Sequence, residues 1–152
     1  MTIKTFRGLI PGTNDETGKD TIVLHTNNGP IGYTIRKLQC MSNNPGVDNL
    51  EGIIKIFSVP QTGNPNGTVD FSDNTLLAAA EYHKDNGSPY PVSLNVIFDG
   101  IVFNQDIYIT YFDNLIGVAL NYYLELEQVK LDLGENTVAT LKDIRNVTAL
   151  TG

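Results

Sequence analysis

The sequence predicts an all-β protein: a single antiparallel β-sandwich over residues 1–152, jelly-roll-like, with at most one short helix near the C-terminus. Three observations lead there. Apolar residues alternate with period two, most clearly where Val118, Leu120, Tyr122, Leu124 and Leu126 interleave with Ala119, Asn121, Tyr123, Glu125 and Glu127. Sixteen asparagines stand mostly outside the apolar runs, often beside Gly or Pro, as in Asn28-Gly29-Pro30, Asn44-Pro45-Gly46, Asn64-Pro65-Asn66-Gly67 and Asn86-Gly87-Ser88-Pro89. Asn and Gly tolerate positive φ, so these clusters mark chain reversals. The length, 152 residues with 41% hydrophobic and 18% charged content, suits one domain that buries roughly 70% of its unfolded surface.

The strand candidates follow in chain order. Ile3 to Ile10 comes first; Thr21 to Thr26 and Ile31 to Met41 then flank the Asn28-Gly29-Pro30 reversal. Within Ile31 to Met41 the apolar parity changes between Tyr33-Ile35 and Leu38-Cys40, which places a bulge at Arg36-Lys37. Gly52 to Val59 lies between two Asn-rich turns. Leu76 to His83 contains Leu76-Leu77-Ala78-Ala79-Ala80-Glu81, a good helix former, but it is short and bounded by turn residues, so a strand is preferred. Val92 to Phe98 and Ile101 to Phe112, the latter broken near Asn104, flank Asp99-Gly100, a strong two-residue hairpin signal. Val118 to Leu133 closes the set, and its parity change to Val129 and Leu131 predicts a second bulge near Glu127-Gln128. From Glu135 to Val147, Val138, Leu141 and Ile144 are three apart, with acid early and base late, which fits a short amphipathic helix. The expected core comprises Ile35, Leu38, Ile54, Ile56, Val96, Phe98, Ile107, Ile109, Leu120, Tyr122 and Leu124.

Charge narrows the function classes. The net charge is −7, and Asp85 to Val129 contains no Lys or Arg while it carries Asp85, Asp99, Asp106, Asp113, Glu125 and Glu127. Nucleic acid and anionic membranes need a basic surface, so neither is an expected partner. Apolar runs are too short to span a bilayer, and Met1 leads into Thr2-Ile3-Lys4-Thr5-Phe6-Arg7 with no signal-peptide core. The sequons at Asn66, Asn86 and Asn146 are therefore read as chance matches.

Catalytic signatures are missing from the sequence: no nucleophile elbow, Walker loop, dinucleotide fingerprint or zincin helix occurs, and no enzyme is predicted. His25 and His83 are read as ordinary strand histidines. Cys40, beside Leu38 and Met41, reads as a small buried hydrophobe rather than a thiolate. Glu125 and Glu127 share a strand face, which reads as a solvated polar side. No cofactor is expected. The calcium candidates are Asp70, Asp73 and Asp113, hard oxygen donors at loop positions that match no defined metal loop and are first of all turn formers. Interaction is better represented: Tyr108, Tyr111, Phe112, Tyr122 and Tyr123 crowd one short stretch, and parity turns Tyr122 inward and Tyr123 outward.

Four strings carry a resemblance. Ile31-Gly32-Tyr33-Thr34-Ile35-Arg36-Lys37-Leu38-Gln39, Val69-Asp70-Phe71-Ser72-Asp73-Asn74 with the run to Ala80, Phe103-Asn104-Gln105-Asp106-Ile107-Tyr108-Ile109, and Asn121-Tyr122-Tyr123-Leu124-Glu125-Leu126-Glu127-Gln128-Val129-Lys130-Leu131 resemble small structural proteins of tailed phages infecting aquatic bacteria. The resemblance spans residues 20 to 147 and implies a particle component, assembled in the host cytoplasm and resident on the virion. The expected role is a capsid decoration (cement) protein on the major capsid protein; the alternatives are a tail, neck or fibre module, and a calcium-dependent or sugar-binding adhesion domain. Exposed strand edges and a place on a shell favour a homotrimer, with Tyr108 and Tyr123 as candidate interface anchors.

Overall fold

Alternating apolar positions become eight strands in the computed structural model, which describes residues 2–12, 15, 17–24, 31–46, 49–85, 87, 92–115 and 117–130. They are β1 (Ile3–Ile10), β2 (Lys19–Ile22), β3 (Ile31–Ser42), β4 (Leu50–Phe57), β5 (Leu76–Lys84), β6 (Val92–Phe98), β7 (Ile107–Asp113) and β8 (Leu120–Lys130). No helix occurs among the described residues, and the helix expected from Glu135 to Val147 lies outside them. Residues 76–84 are a strand, so tertiary pairing with β4 and β6 prevails over the local helix propensity of the Leu-Ala run.

Two antiparallel sheets pack together, one in the order β1-β8-β3 and one in the order β2-β7-β4-β5-β6. Rolling a long hairpin into a jelly roll pairs the first strand with the last, the second with the seventh and the fourth with the fifth; all three pairs are present. The remaining pair of that scheme, β3 with β6, is replaced: β6 is hydrogen-bonded to β5 as the fifth strand of the wider sheet.

The core lies between the sheets. Ile35, Leu38, Ile54, Ile56, Ile107, Ile109, Leu120, Tyr122 and Leu124 are buried there as expected. Val96 and Phe98 are not: Val96 is only half-buried and Phe98 is exposed. Their parity is right, since they stand opposite the buried Ala80 and Ala78, but the three-stranded sheet is too narrow to cover β6 fully: Val96 packs at the edge of the core and Phe98 lies beyond it. Tyrosine hydroxyls tie the layers: Tyr122 of β8 donates to Asp20 Oδ2 of β2 at 2.5 Å, and the Ser42 N–H of β3 donates to Tyr82 Oη of β5 at 3.3 Å. Gly8 exists because a Cβ there would sit 2.9 Å from the Tyr122 ring.

Two further expectations are corrected. Asp99-Gly100 does not form a β6–β7 hairpin; Asp99 Oδ1 instead accepts the Ile101 N–H at 3.2 Å, and the chain crosses to the other sheet, where Phe103 bridges Tyr33. An Asx turn satisfies the same local chemistry without reversing the strand, and β6 takes its ladder from β5. The bulge expected at Glu127-Gln128 is also missing: β8 runs in unbroken register past Tyr33 and Thr34 of β3. The bulge at Arg36 is real, because Ile35 and Lys37 pair with the consecutive residues Leu126 and Glu125. That single extra residue accounts for the parity change in β3.

Candidate functional site

The outer face of the three-stranded sheet is set by register. Arg7, Tyr123 and Gln39 stand side by side across β1, β8 and β3, and Leu9, Asn121 and Met41 form the next row. Tyr123 is thus central on the middle strand, facing out as its parity predicts. Its hydroxyl donates to Glu125 Oε2 at 2.8 Å, and the Arg36 Nε lies 3.6 Å from Glu125 Oε1. The hydrogen bond to Glu125 holds the Tyr123 phenol above its ordinary pKa, so it stays a neutral donor. Around Tyr123 opens a groove of about 700 Å³ that also reaches Arg7, Leu9, Met41 and Leu94. Leu9 and Met41 are largely exposed there, at 53% and 58% of their surface. A flat aromatic, a guanidinium, two amides and two bare aliphatic side chains make a surface suited to protein contact.

The second aromatic candidate is elsewhere. Tyr108 stands on the outer face of the five-stranded sheet, half-buried between Thr21 of β2 and Phe57 of β4. The structure therefore does not bring Tyr108 and Tyr123 together; the sandwich separates them. Tyr111 and Phe112 point to opposite faces of β7, with Tyr111 fully buried and donating to the Val118 carbonyl at 2.6 Å.

The calcium candidates act as turn caps. Asp70 Oδ1 accepts from the N–H and hydroxyl of Ser72 at 2.9 and 2.6 Å, and Asp73 Oδ1 accepts from Thr75 likewise at 2.8 and 2.6 Å. Asp113 is fully buried, and its carboxylate accepts the N–H groups of Glu51, Leu115 and Val118 at 3.2, 3.0 and 2.7 Å. No group of three or more His, Cys, Asp or Glu side chains able to hold a metal forms among the described residues. Asp113 instead locks the β7–β8 turn, where Gly117 takes a φ of 80°, onto the start of β4.

The remaining titratable groups are assigned by their partners. His83 Nδ1 lies 3.7 Å from Glu51 Oε1, and Asn114 Nδ2 donates to Glu51 Oε2 at 3.3 Å, beside a shallow groove of about 560 Å³ floored by Ile53 and Phe112. Both side chains are partly exposed, so the contact is a weak surface link. His25 lies outside the described residues. Burial pushes the Cys40 thiol up to about 12, the opposite of an activated nucleophile. Glu125 and Glu127 share the outer face of β8, with Glu125 engaged by Tyr123 and Arg36.

Comparisons with protein-family models, with curated proteins and with solved structures give no match to this chain. Of the Tyr123 groove, the sequence pattern identifies only the tyrosine. Arg7, Leu9 and Met41 join it through strand register, and the one available signal was their odd parity against Ile10 and Cys40.

Proposed function

We propose that this chain is a non-enzymatic structural protein of a tailed-phage particle, specifically a decoration (cement) protein that docks on the major capsid protein and strengthens the shell. One observation carries the reading: the Tyr123 row, with Arg7 beside it and Leu9 and Met41 bare, concentrates the residue types that anchor protein interfaces on a rigid sheet face. The jelly-roll strand order adds weight by analogy, since capsid proteins recur on that architecture, and so do lectins. The acidic chain disfavours nucleic acid as the ligand of that face. On the particle three copies cluster about a local three-fold axis. The protein is made in the host cytoplasm and ends on the virion.

Mass spectrometry of separately purified heads and tails tests this. The protein is expected in heads at stoichiometric copy number, and Tyr123→Ala combined with Arg7→Ala is expected to lower its occupancy at least tenfold, the loss of one hot-spot pair. Recovery on tails alone transfers the role to a tail, neck or fibre part. Absence from both overturns the particle reading.

A further inference from the structure

We infer that β6 is a self-association edge: two copies pair through Val92–Phe98, antiparallel about a two-fold axis at Asn95, and so join their five-stranded sheets. The observations start with the edges. A terminal strand exposes a row of unpaired N–H and C=O groups, and stable proteins blunt such rows with charge, shortness, bulges or cover. Three of the four edges here are blunted. β2 is four residues long and carries Lys19 and Asp20; β1 carries Lys4 and Arg7; β3 has its bulge at Arg36, followed by Lys37, and is bridged at Tyr33 by Phe103. Among the described residues β6 has none of these devices. Its seven residues include no charge and no proline, it pairs in unbroken register with β5, and among the described residues no strand lies on its other side.

Its faces agree with its edge. Val92, Leu94, Val96 and Phe98 point to the core side but overhang the narrow sheet, leaving Val92 51%, Leu94 39% and Phe98 37% exposed. On the other face Ile97 is 46% exposed. Four exposed large apolar residues on one strand form a patch rather than scattered exceptions.

A second copy is the occupant that the charges select. The chain carries −7, so two copies approaching through most surfaces meet like charge, whereas β6 brings none. Antiparallel self-pairing sets Val92 against Phe98 of the second copy and Leu94 against Val96 of the second copy, each twice. That builds a continuous apolar row on the overhanging side. Asn95 meets its own counterpart on the axis of the other face, where the two amides can hydrogen-bond. The contact is isologous and closes at two copies. It uses the β6 edge rather than the Arg7–Tyr123–Gln39 row and shares only Leu94 with the groove beside that row, and on a shell it would bridge neighbouring three-fold clusters.

The purified full-length chain tests it by sedimentation equilibrium and light scattering across a micromolar dilution series. Assembly in even numbers of copies is expected, with Leu94→Lys halving the mass while circular dichroism stays β-rich. Asn95→Cys on a Cys40→Ser background gives a second readout that does not require disrupting the strand. Across an antiparallel pair the two Cβ atoms lie about 5 Å apart, so mild oxidation should cross-link most of the protein, against a Thr62→Cys control that should not cross-link. A chain that is monomeric throughout, a mass indifferent to Leu94→Lys, or cross-linking no better than the control each overturns the inference. None of these results bears on whether the protein is found in virions.

Discussion

Replacing Asp113 with alanine should destabilise the sandwich more than any other single removal of a polar side chain. The carboxylate is fully buried and accepts three backbone N–H groups from two separate segments. A buried donor left without its acceptor costs about 1–3 kcal/mol. The Val118 N–H sits in buried surroundings and takes the upper part of that range, while those of Glu51 and Leu115 lie in part-buried surroundings and recover water, taking the lower part. The sum is about 4 kcal/mol, among the largest effects single substitutions produce. For a domain of this size it corresponds to a fall in Tm of roughly 8–16 °C. Asp113→Asn keeps one carbonyl oxygen for Glu51 and Leu115 but turns an NH₂ toward the Val118 N–H, so it should cost about half as much. Urea unfolding with an unchanged m-value is the assay. An alanine variant within about 0.5 kcal/mol of the parent, or an asparagine variant as damaged as the alanine one, would refute the reasoning.

Alkaline pH should unfold the protein through its tyrosines. Burial, joined by Asp113 at Tyr111 and by Asp20 at Tyr122, holds both phenols well above 10 in the folded state. Above pH 10 the unfolded chain therefore loses protons that the native chain keeps, and stability falls by up to about 1.4 kcal/mol per pH unit for each tyrosine; Tyr122→Phe should remove half of that slope in denaturant titrations at successive pH values. Leu124→Ala, at a site with no exposed surface, should cost about 2–5 kcal/mol, whereas Phe98→Ala on the overhanging strand should cost well under half of that in the same assay; equal losses would place β6 in the core after all. Gly8→Ala should lose about 1–3 kcal/mol, because the added methyl meets the Tyr122 ring at 2.9 Å, and Gly46→Ala, with open space around it, is the control. Millimolar calcium should leave Tm unchanged, since Asp70 and Asp73 each cap their own turn; a site filled to 100 times its Kd would add about 2.7 kcal/mol and be plain in a thermal melt.

Particular residues show where reading the sequence succeeds. Tyr122 inside and Tyr123 outside, the bulge at Arg36, and a strand from Leu76 despite its alanines all follow from alternation and bounding turns. These are short-range properties: neighbouring side chains on a pleated strand must point to opposite faces whatever the strand pairs with. The same reasoning placed Val96 and Phe98 on the correct side of β6 yet misjudged their burial, and it turned Asp99-Gly100 into a hairpin that does not form. Parity determines a direction. Whether anything lies in that direction depends on the width of the opposing sheet, and so on β6 leaving β3 for β5. Asp113 belongs with these cases: an aspartate beside a turn offers oxygen to any donor, and only the folded chain sets it at the end of β7 and brings it the N–H groups of Glu51 and Val118 in place of a cation. The chain's composition and period thus determined a jelly-roll-like sandwich with Tyr123 on its surface. Long-range pairing alone decided which residues surround that tyrosine, which edge is unguarded and which carboxylate holds the turns, because those contacts join segments far apart in sequence.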